Sequence, residues 1–386
     1  MTQSLSRTAA IVGVAESDEI GIVPNKSALQ HHAEAAHNAL ADAGLSVRDV
    51  DGLFTAGFST MATGEYMGIR PRYTDSTSVG GASFVIHVAH AVAAINAGYC
   101  EVALITHGQT GRSSRVRSGE IAGLGGVPSP MAEFEVPYGI IGPPAAYGMA
   151  CSRYMHELGE ERTRQALAEI AVSTRKWAQL NPKALMRDEM TFEDYHNSRW
   201  IAWPFHLLDC CLVTDAGAAV VVTSAERARD TAKRPAWVLG AAEHHDHFMV
   251  TQMPDLTVTP AHVSGPRAME IAGVSHGDLD LAMLYDSFTY TVLVTLESLG
   301  FCARGEGPDL VSNQRTAPGG DFPLNTNGGG LSYTHPGMYG IFLIVEAVRQ
   351  LRGECGERQV QDCKTALVNG TGGFLSSTGT IVLAAD

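Results

Sequence analysis

One stretch of the sequence, Asn327 to Gly340, combines a flexible backbone with side chains that can exchange protons. Its glycine run, Gly328 to Gly330, permits backbone angles that other residues avoid and lets a ligand approach the main chain closely. His335 and Tyr339 follow, directly before an apolar run typical of a buried helix. Because a helix start carries free N–H groups and partial positive charge, the stretch suits an anion or a developing oxyanion. A glycine-rich turn before a core helix, with no chemistry, explains the same pattern.

The composition narrows the range of possible functions. A chain of 386 residues is long enough for two domains of ordinary size, or for one large body made of two similar halves. Its formal net charge of −14 disfavours nucleic acid and anionic membranes as partners. Seven cysteines without a C-x-x-C pair indicate reduced thiols and no zinc ribbon on this chain. No run approaches the ~20 apolar residues of a membrane span. We therefore expect a cytoplasmic protein that binds neither nucleic acid nor membrane.

Strands and helices alternate in the first part of the chain. Thr8–Ala15 predicts a buried strand, and Ser27–Gly44 predicts a helix that stops at its glycine. Ser76–Val79 is read as the end of another strand, Gly80–Ser83 as the opening of a second helix, and Val102–Thr106 as the next strand. The alternation predicts an α/β fold with a mostly parallel sheet covered by helices.

The second half of the sequence repeats the first. Ala43–Asp51 resembles Ala272–Asp280, and each segment precedes an apolar strand. Gly81–Val92 aligns with Gly337–Val348, in the same order along the chain. Two ordered matches indicate a duplication. We predict an N-terminal half at 1–230, with an inserted loop domain at about 108–204, and a C-terminal half at 231–386.

A duplicated α/β half, an insertion in the first copy and the turn at His335–Gly337 together resemble the thiolase superfamily, and within it the sterol carrier protein X-type thiolases. The resemblance covers nearly the whole chain. It implies a thiolase fold, in which two βαβαβ-type halves form a layered α-β-α-β-α body. It also implies four catalytic loops, which match Ser78–Ser83, Tyr285–Phe288, Thr334–Pro336 and Asn369–Gly373.

Two of these loops lack the cysteines of true thiolases. Gly80 or its neighbour stands where the nucleophile is expected, and the fourth loop reads Asn-Gly-Thr-Gly-Gly, without a cysteine. Acyl transfer between two thioesters needs a thiolate to hold the acyl group. A covalent thiolase mechanism is therefore nearly excluded, unless Cys100 or Cys302 reaches the site.

An oxyanion site without a nucleophile fits retro-aldol cleavage of a 3-hydroxyacyl-CoA. A base removes the hydroxyl proton, the Cα–Cβ bond breaks, and an acid returns a proton to the enolate. The cysteine-less branch that this chain resembles contains bacterial retro-aldolases that cleave a 17-hydroxy steroid acyl-CoA to a 17-ketosteroid and propionyl-CoA. The resemblance implies that Tyr290 and Tyr339 carry the protons, in an order that stays open. We expect His335 to donate to the enolate or carbonyl oxygen.

Other expectations complete this hypothesis. The substrate and oxyanion loops are expected to present Gly80, Gly81, Tyr285, Asp286, Asn369 and Gly370. The resemblance implies a homodimer that joins a separate zinc-ribbon/OB-fold protein in a heterotetramer. We expect no metal ion and no cofactor, since CoA is part of the substrate. Two alternatives stay open: an acyl-CoA acetyltransferase or thiolase relative, and a non-catalytic acyl-CoA-binding subunit.

Overall fold

The computed structural model describes residues 5–114 and 129–385. The helices are α1 (Ala28–Ala43), α2 (Thr60–Met67), α3 (Ser83–Asn96), α4 (Pro130–Phe134), α5 (Pro143–Leu158), α6 (Glu160–Gln179), α7 (Phe192–Asn197), α8 (Ala225–Ala228), α9 (Ala261–Ala272), α10 (Thr289–Ser298), α11 (Gly307–Val311) and α12 (Gly340–Arg352). The strands are β1 (Ala9–Glu16), β2 (Gly52–Phe54), β3 (Tyr73–Asp75), β4 (Val102–Thr110), β5 (Trp200–Ala202), β6 (Phe205–His206), β7 (Asp215–Ser224), β8 (Ala236–His245), β9 (Leu281–Leu284), β10 (Thr365–Gly372) and β11 (Ser377–Ala384).

Most of the strands form one mixed sheet in the order β3-β2-β4-β7-β1-β8-β11-β10-β9. In the first half, β7 runs antiparallel to β1 and β4, and β2 runs parallel to β4 and β3. The second half repeats this arrangement with β8, β11, β10 and β9. A single parallel bridge between Ala282 and Leu324 stands where β3 lies in the first half. The halves join where β1 pairs with β8, for example at Ala10 and Trp237.

Two helices fill the space between the halves. α3 and α12 pack against each other, and both also contact β7 and β10. Their apolar side chains are buried there, including Phe84 of α3 and Ile341 of α12. On the outer faces, α1 covers β1, β4 and β7, while α9 covers β8 and β11. These contacts give five layers, and they place the beginnings of α3 and α12 side by side in the middle one.

The segment between β4 and β7, 111–214, departs from the repeat. Its long helices α5 and α6 pack against each other and against α10 of the second half. Tyr147 and Tyr154 lie on the inner side of α5, where both are buried. Part of the predicted loop domain, 115–128, lies outside the described residues. The predicted boundaries of the two halves stay a prediction.

Most predicted elements of the first half are present, with two corrections. The prediction of a mostly parallel sheet was wrong, since five of the eight strand pairs described in the large sheet are antiparallel. α1 is capped at Ser27, whose side chain accepts from the N–H of Gln30, and ends at Gly44 as the sequence predicts. The prediction of a strand end at Ser76–Val79 was wrong, since β3 ends at Asp75. The Asp75 carboxylate accepts the N–H of Thr77 at 2.7 Å, so this N–H bonds to a side chain and not to a neighbouring strand. No helix of the described residues combines the length and apolar character needed to cross a membrane.

Candidate active site

The side chains of Tyr285 and His335 meet at the middle layer. The Tyr285 hydroxyl oxygen lies 2.9 Å from Nε2 of His335, and the same oxygen accepts the backbone N–H of Tyr339 at 3.0 Å. Tyr285 follows β9 directly, and Tyr339 immediately precedes α12. The second and third predicted catalytic loops therefore share one hydrogen-bonded centre.

The ring of Tyr285 occupies the space that a side chain at position 81 would need. A Cβ built on Gly81 would lie 2.0 Å from Cε2 of Tyr285. Gly340 allows an equally close approach, because a Cβ there would lie 2.1 Å from the Gly81 carbonyl oxygen. Where a thiolase is expected to present its nucleophile, this chain thus presents a phenol from another loop.

Asp286 ties the second loop to the glycine run. Its fully buried carboxylate accepts the N–H of Gly330 at 2.7 Å and that of Leu331 at 3.2 Å. A Cβ on Gly329 would lie 1.9 Å from the same carboxylate, so the missing side chain permits this approach. Burial raises the pKa of Asp286 to about 7. The predicted site residue Asp286 therefore holds loops in place.

The end of β4 and the start of β7 brace the turn that carries His335. The N–H of His335 donates to the Thr214 hydroxyl at 2.9 Å, and the N–H of Thr214 donates to the His335 carbonyl at 3.2 Å. Gln109 lies against Gly337, where a Cβ would be 2.4 Å from the Gln109 Oε1. Burial lowers the pKa of His335 to about 4, so its imidazole is neutral near pH 7.

The hydroxyl of Tyr339, a predicted proton carrier, is already paired. It donates to Oδ1 of Asn327 at 2.9 Å, and its ring stacks on Phe342 with centroids 5.6 Å apart. Tyr339 is fully buried, and burial raises its pKa well above the usual value. Besides its backbone N–H, it contributes its ring to the Tyr285 centre, edge-on to Tyr285 at 5.8 Å and stacked on His335 at 6.1 Å between centroids.

Tyr290, the other predicted proton carrier, points into a different part of the core. Its hydroxyl donates to the Leu256 carbonyl at 3.1 Å, and its ring meets Tyr154 edge-on at 5.7 Å. Within the described residues it shares no hydrogen bond or ring contact with His335 or Tyr285. The structure therefore brings Tyr285, His335 and Tyr339 together, but not Tyr290.

The first and fourth loops meet beside this centre. A Cβ on Gly80 would lie 2.7 Å from the backbone nitrogen of Gly373, and a Cβ on Gly370 would lie 2.9 Å from Val85. No side chain of the described residues caps the first turn of α3, and the N–H groups of Ser83 and Val85 already donate to the carbonyls of Gly80 and Ala82 at 3.1 Å. The Asn369 carbonyl accepts the N–H of Tyr285 at 3.0 Å. Its side-chain amide donates to Thr380 at 2.7 Å instead of entering the centre.

Two neighbours of the site were not predicted from sequence. The Cys211 N–H donates to the Ser287 carbonyl at 3.0 Å, and its thiol is close enough to Tyr285 to interact electrostatically. Burial raises the pKa of Cys211 well above its usual value, so it stays a thiol and is not an activated nucleophile. Tyr147 of the insertion donates its hydroxyl to the Gly373 carbonyl at 3.2 Å. Neither lies in a motif, so no sequence pattern marked them.

The cysteines that sequence reasoning named lie on other elements. The Cys100 sulfur would be 2.8 Å from a Cβ on Gly52, at the start of β2. Cys302 follows α10, where burial and the nearby Glu297 carboxylate raise its pKa to about 12. Among the described residues no group of three or more His, Cys, Asp or Glu side chains is arranged to hold a metal ion.

Comparison with known proteins agrees with this architecture. The family described as Thiolase C-terminal domain-like matches residues 242–385. The 17-hydroxy-3-oxo-4-pregnene-20-carboxyl-CoA lyase of Mycobacterium tuberculosis is 38% identical over 90% of this chain and 92% of its own length. The steroid side-chain-cleaving aldolase of Thermomonospora curvata is 38% identical over 99% of both chains.

The chain belongs to the family of steroid side-chain-cleaving aldolases, within the thiolase superfamily. The solved structure of an Ltp2-ChsH2(DUF35) aldolase superposes with a TM-score of 0.90 at 35% identity, covering 100% of this chain and 99% of its own. Human mitochondrial 3-ketoacyl-CoA thiolase, at 16% identity and a TM-score of 0.71, shares the fold. The predicted thiolase fold is confirmed. A retro-aldol reaction needs no covalent nucleophile, so an aldolase of this family can have a phenol at the position where a thiolase has its cysteine.

Proposed function

We propose that this protein cleaves the Cα–Cβ bond of a 3-hydroxyacyl-CoA by a retro-aldol reaction, and that its substrate is a 17-hydroxy steroid acyl-CoA, which yields a 17-ketosteroid and propionyl-CoA. The names of two relatives at 38% identity support the steroid side chain and the CoA thioester. One geometric observation supports the reaction type. The Tyr285 ring covers Gly81, and its hydroxyl is bonded to His335.

The Tyr285–His335 pair can accept the proton of the substrate hydroxyl. His335 is neutral near pH 7, because burial holds its pKa at about 4. The Tyr285 oxygen takes the substrate proton as it passes its own proton to Nε2 of His335. The electrons of the O–H bond form the ketone, and those of the Cα–Cβ bond move to the thioester as an enolate. Burial makes His335 a weak base, so these proton transfers are concerted with the breaking of the Cα–Cβ bond and no free phenolate forms.

The enolate oxygen needs preorganised donors. We assign the enolate oxygen to the junction of the first and fourth loops, where the Gly373 nitrogen adjoins Gly80. The proton held by His335 then returns through Tyr285 to the enolate carbon, which restores both groups. No covalent intermediate and no cofactor enters these steps. In this proposal His335 relays a proton with Tyr285, which differs from the predicted donation to the enolate or carbonyl oxygen.

The assembly and location of the protein are part of the proposal. The similar aldolase structure is named for two components, Ltp2 and ChsH2(DUF35), which supports a partner subunit for this chain as well. We assign that role to a zinc-ribbon/OB-fold protein, bound to a homodimer of this chain in a heterotetramer. The cytoplasm is the expected compartment.

Product analysis tests the proposal. The protein is incubated with a 17-hydroxy steroid acyl-CoA, with and without an added zinc-ribbon/OB-fold protein, and the reaction is followed by mass spectrometry. We expect equal amounts of 17-ketosteroid and propionyl-CoA, and an intact protein of unchanged mass. The Tyr285→Phe variant is the matched control. Absence of propionyl-CoA under both conditions contradicts the steroid substrate, and an acylated protein supports the acetyltransferase alternative instead. Acyl-CoA binding without any turnover supports the non-catalytic subunit.

A further inference from the structure

The turn that joins β10 to β11 carries backbone strain next to the site. Gly373 and Leu375 both have positive φ, at 59° and 61°. A leucine in this region is strained, and such strain persists only where the surroundings hold it. The same turn sets the position of the Gly373 nitrogen beside Gly80. Contacts from outside the turn are therefore needed to keep this nitrogen in place.

Two side chains from other elements hold the turn. Tyr147, on α5 of the insertion, donates its hydroxyl to the Gly373 carbonyl at 3.2 Å. His247, which follows β8, places Nε2 3.0 Å from the Phe374 carbonyl. Of the two, Tyr147 also reaches the second loop, because its ring packs on Phe288 with centroids 4.7 Å apart. It thus contacts two catalytic loops from a helix that the repeated halves do not contain.

We propose that Tyr147 is a positioning residue for the reaction: its phenol couples the insertion to the second and fourth loops and thereby fixes the Gly373 nitrogen where the enolate oxygen is bound. The inference rests on the proposed function for the identity of the reaction. The hydrogen bond itself does not depend on that function. Burial raises the pKa of Tyr147 to about 12, so its hydroxyl remains a donor through the neutral range.

The Tyr147→Phe variant removes this donor and keeps the ring. Tyr154→Phe is the matched control, because Tyr154 is buried on the same face of α5, two turns along, and its hydroxyl donates to Glu297. We expect Tyr147→Phe to lower kcat about ten- to a hundredfold with KM nearly unchanged, as small displacements of a catalytic group do. We also expect faster amide hydrogen exchange at Gly373 to Ser376. Tyr154→Phe is expected to leave both quantities within about twofold of wild type.

The two measurements separate this inference from the proposed function. Hydrogen exchange needs no substrate, so unchanged exchange in Tyr147→Phe overturns the coupling even if the wild type proves inactive. If the wild type cleaves no steroid acyl-CoA, the proposed function fails, while faster exchange in Tyr147→Phe alone still supports the coupling. Faster exchange with an unchanged kcat overturns the positioning role. An equal fall of kcat in the Tyr147 and Tyr154 variants also overturns the positioning role, because it shows only a general loss of stability.

Discussion

The hydroxyl of Tyr285 lies 2.9 Å from Nε2 of His335, and its ring covers Gly81. The pair joins two loops that are 50 residues apart in sequence. A neutral imidazole beside a phenol can move a proton in either direction, which a retro-aldol reaction requires twice. We therefore expect turnover to depend on this pair and on the contacts that hold it.

Removing the Tyr285 hydroxyl is expected to abolish most activity. Tyr285→Phe keeps the ring over Gly81 but leaves His335 and the Tyr339 N–H without their shared partner. We expect kcat to fall by about 10²–10⁴-fold, the usual contribution of a positioned proton-transfer group. Steady-state kinetics with a 17-hydroxy steroid acyl-CoA measures it, and propionyl-CoA binding shows whether the site stays folded.

The two tyrosines named from sequence provide the comparison. Tyr290→Phe removes a hydroxyl whose partner is the Leu256 carbonyl, so we expect kcat within a few-fold of wild type. Tyr339→Phe removes a bond to Asn327 and keeps the backbone N–H, so we expect an intermediate loss. A Tyr290 variant as inactive as Tyr285→Phe would contradict this assignment and return Tyr290 to the reaction.

Gly81 is expected to tolerate no side chain. In Gly81→Ala the new methyl would lie 2.0 Å from Cε2 of Tyr285, so the ring must move away from its present position. We expect about a hundredfold loss of kcat from the displaced phenol and about 1–3 kcal/mol of destabilisation from overpacking. Gly277→Ala is the control, since the nearest atom to a Cβ there is the Ser275 hydroxyl at 3.9 Å. Equal activity of the two variants would show that Tyr285 acts from another position.

The duplicated architecture was predictable because both halves contain similar short sequence segments that form the same local structure. Ser46 and Ser275 precede the same short helical turn in each half. The carboxylates three residues later, Asp49 and Asp278, accept the N–H of the serine at 2.9 Å and 2.8 Å. The glycine runs marked the loops for a similar reason, because close backbone approach requires glycine and leaves a signal in the sequence.

The roles of individual tyrosines were not predictable in this way. Tyr285 leaves β9 toward the middle layer, whereas Tyr290, five residues on, is in the first turn of α10 and faces α5. Because the two tyrosines are close in sequence, they were assigned to one site. The change from strand to helix between them places them in two different environments. Tyr147 comes from the insertion, and only tertiary packing brings it to the fourth loop.

Asp286 gives a prediction for pH dependence. Its pKa in the folded protein is about 7, raised by burial, against an ordinary value of 3.8. Between these values the folded state binds more protons than the unfolded state, so the free energy of unfolding falls as pH rises. We expect a steeper fall from pH 4 to 7 in the wild type than in Asp286→Asn, measured by urea unfolding.

An exposed carboxylate supplies the control. Asp321 pairs with Arg315, which lowers its pKa below 3.8, so its contribution to stability is lost only below pH 4 and is nearly constant from pH 4 to 7. Asp321→Asn should therefore leave the wild-type slope over that range nearly unchanged. If the free energy of unfolding changes with pH equally in the wild type and in Asp286→Asn, the pKa of the Asp286 carboxyl is not raised by burial.

A buried ion pair is expected to carry much of the connection between the two halves. Glu16, at the end of β1, accepts from both terminal nitrogens of Arg349 on α12 at 2.6 Å and from the Tyr333 hydroxyl at 2.7 Å. Burial disfavours the Glu16 charge, but Arg349 and Lys183 outweigh this and hold its pKa well below the usual value. The pair therefore stabilises the fold at neutral pH, and its contribution is lost as pH falls toward that low pKa.

Glu16→Gln keeps the shape of the side chain and removes its charge, which leaves the Arg349 guanidinium buried without a carboxylate. We expect a loss of about 3–5 kcal/mol in the free energy of unfolding at pH 7, measured with urea, and partial recovery in Glu16→Gln with Arg349→Met. Asp321→Asn, which breaks the exposed pair with Arg315, should change stability little by comparison. A Glu16 variant as stable as the wild type would show that this pair does not hold the halves together.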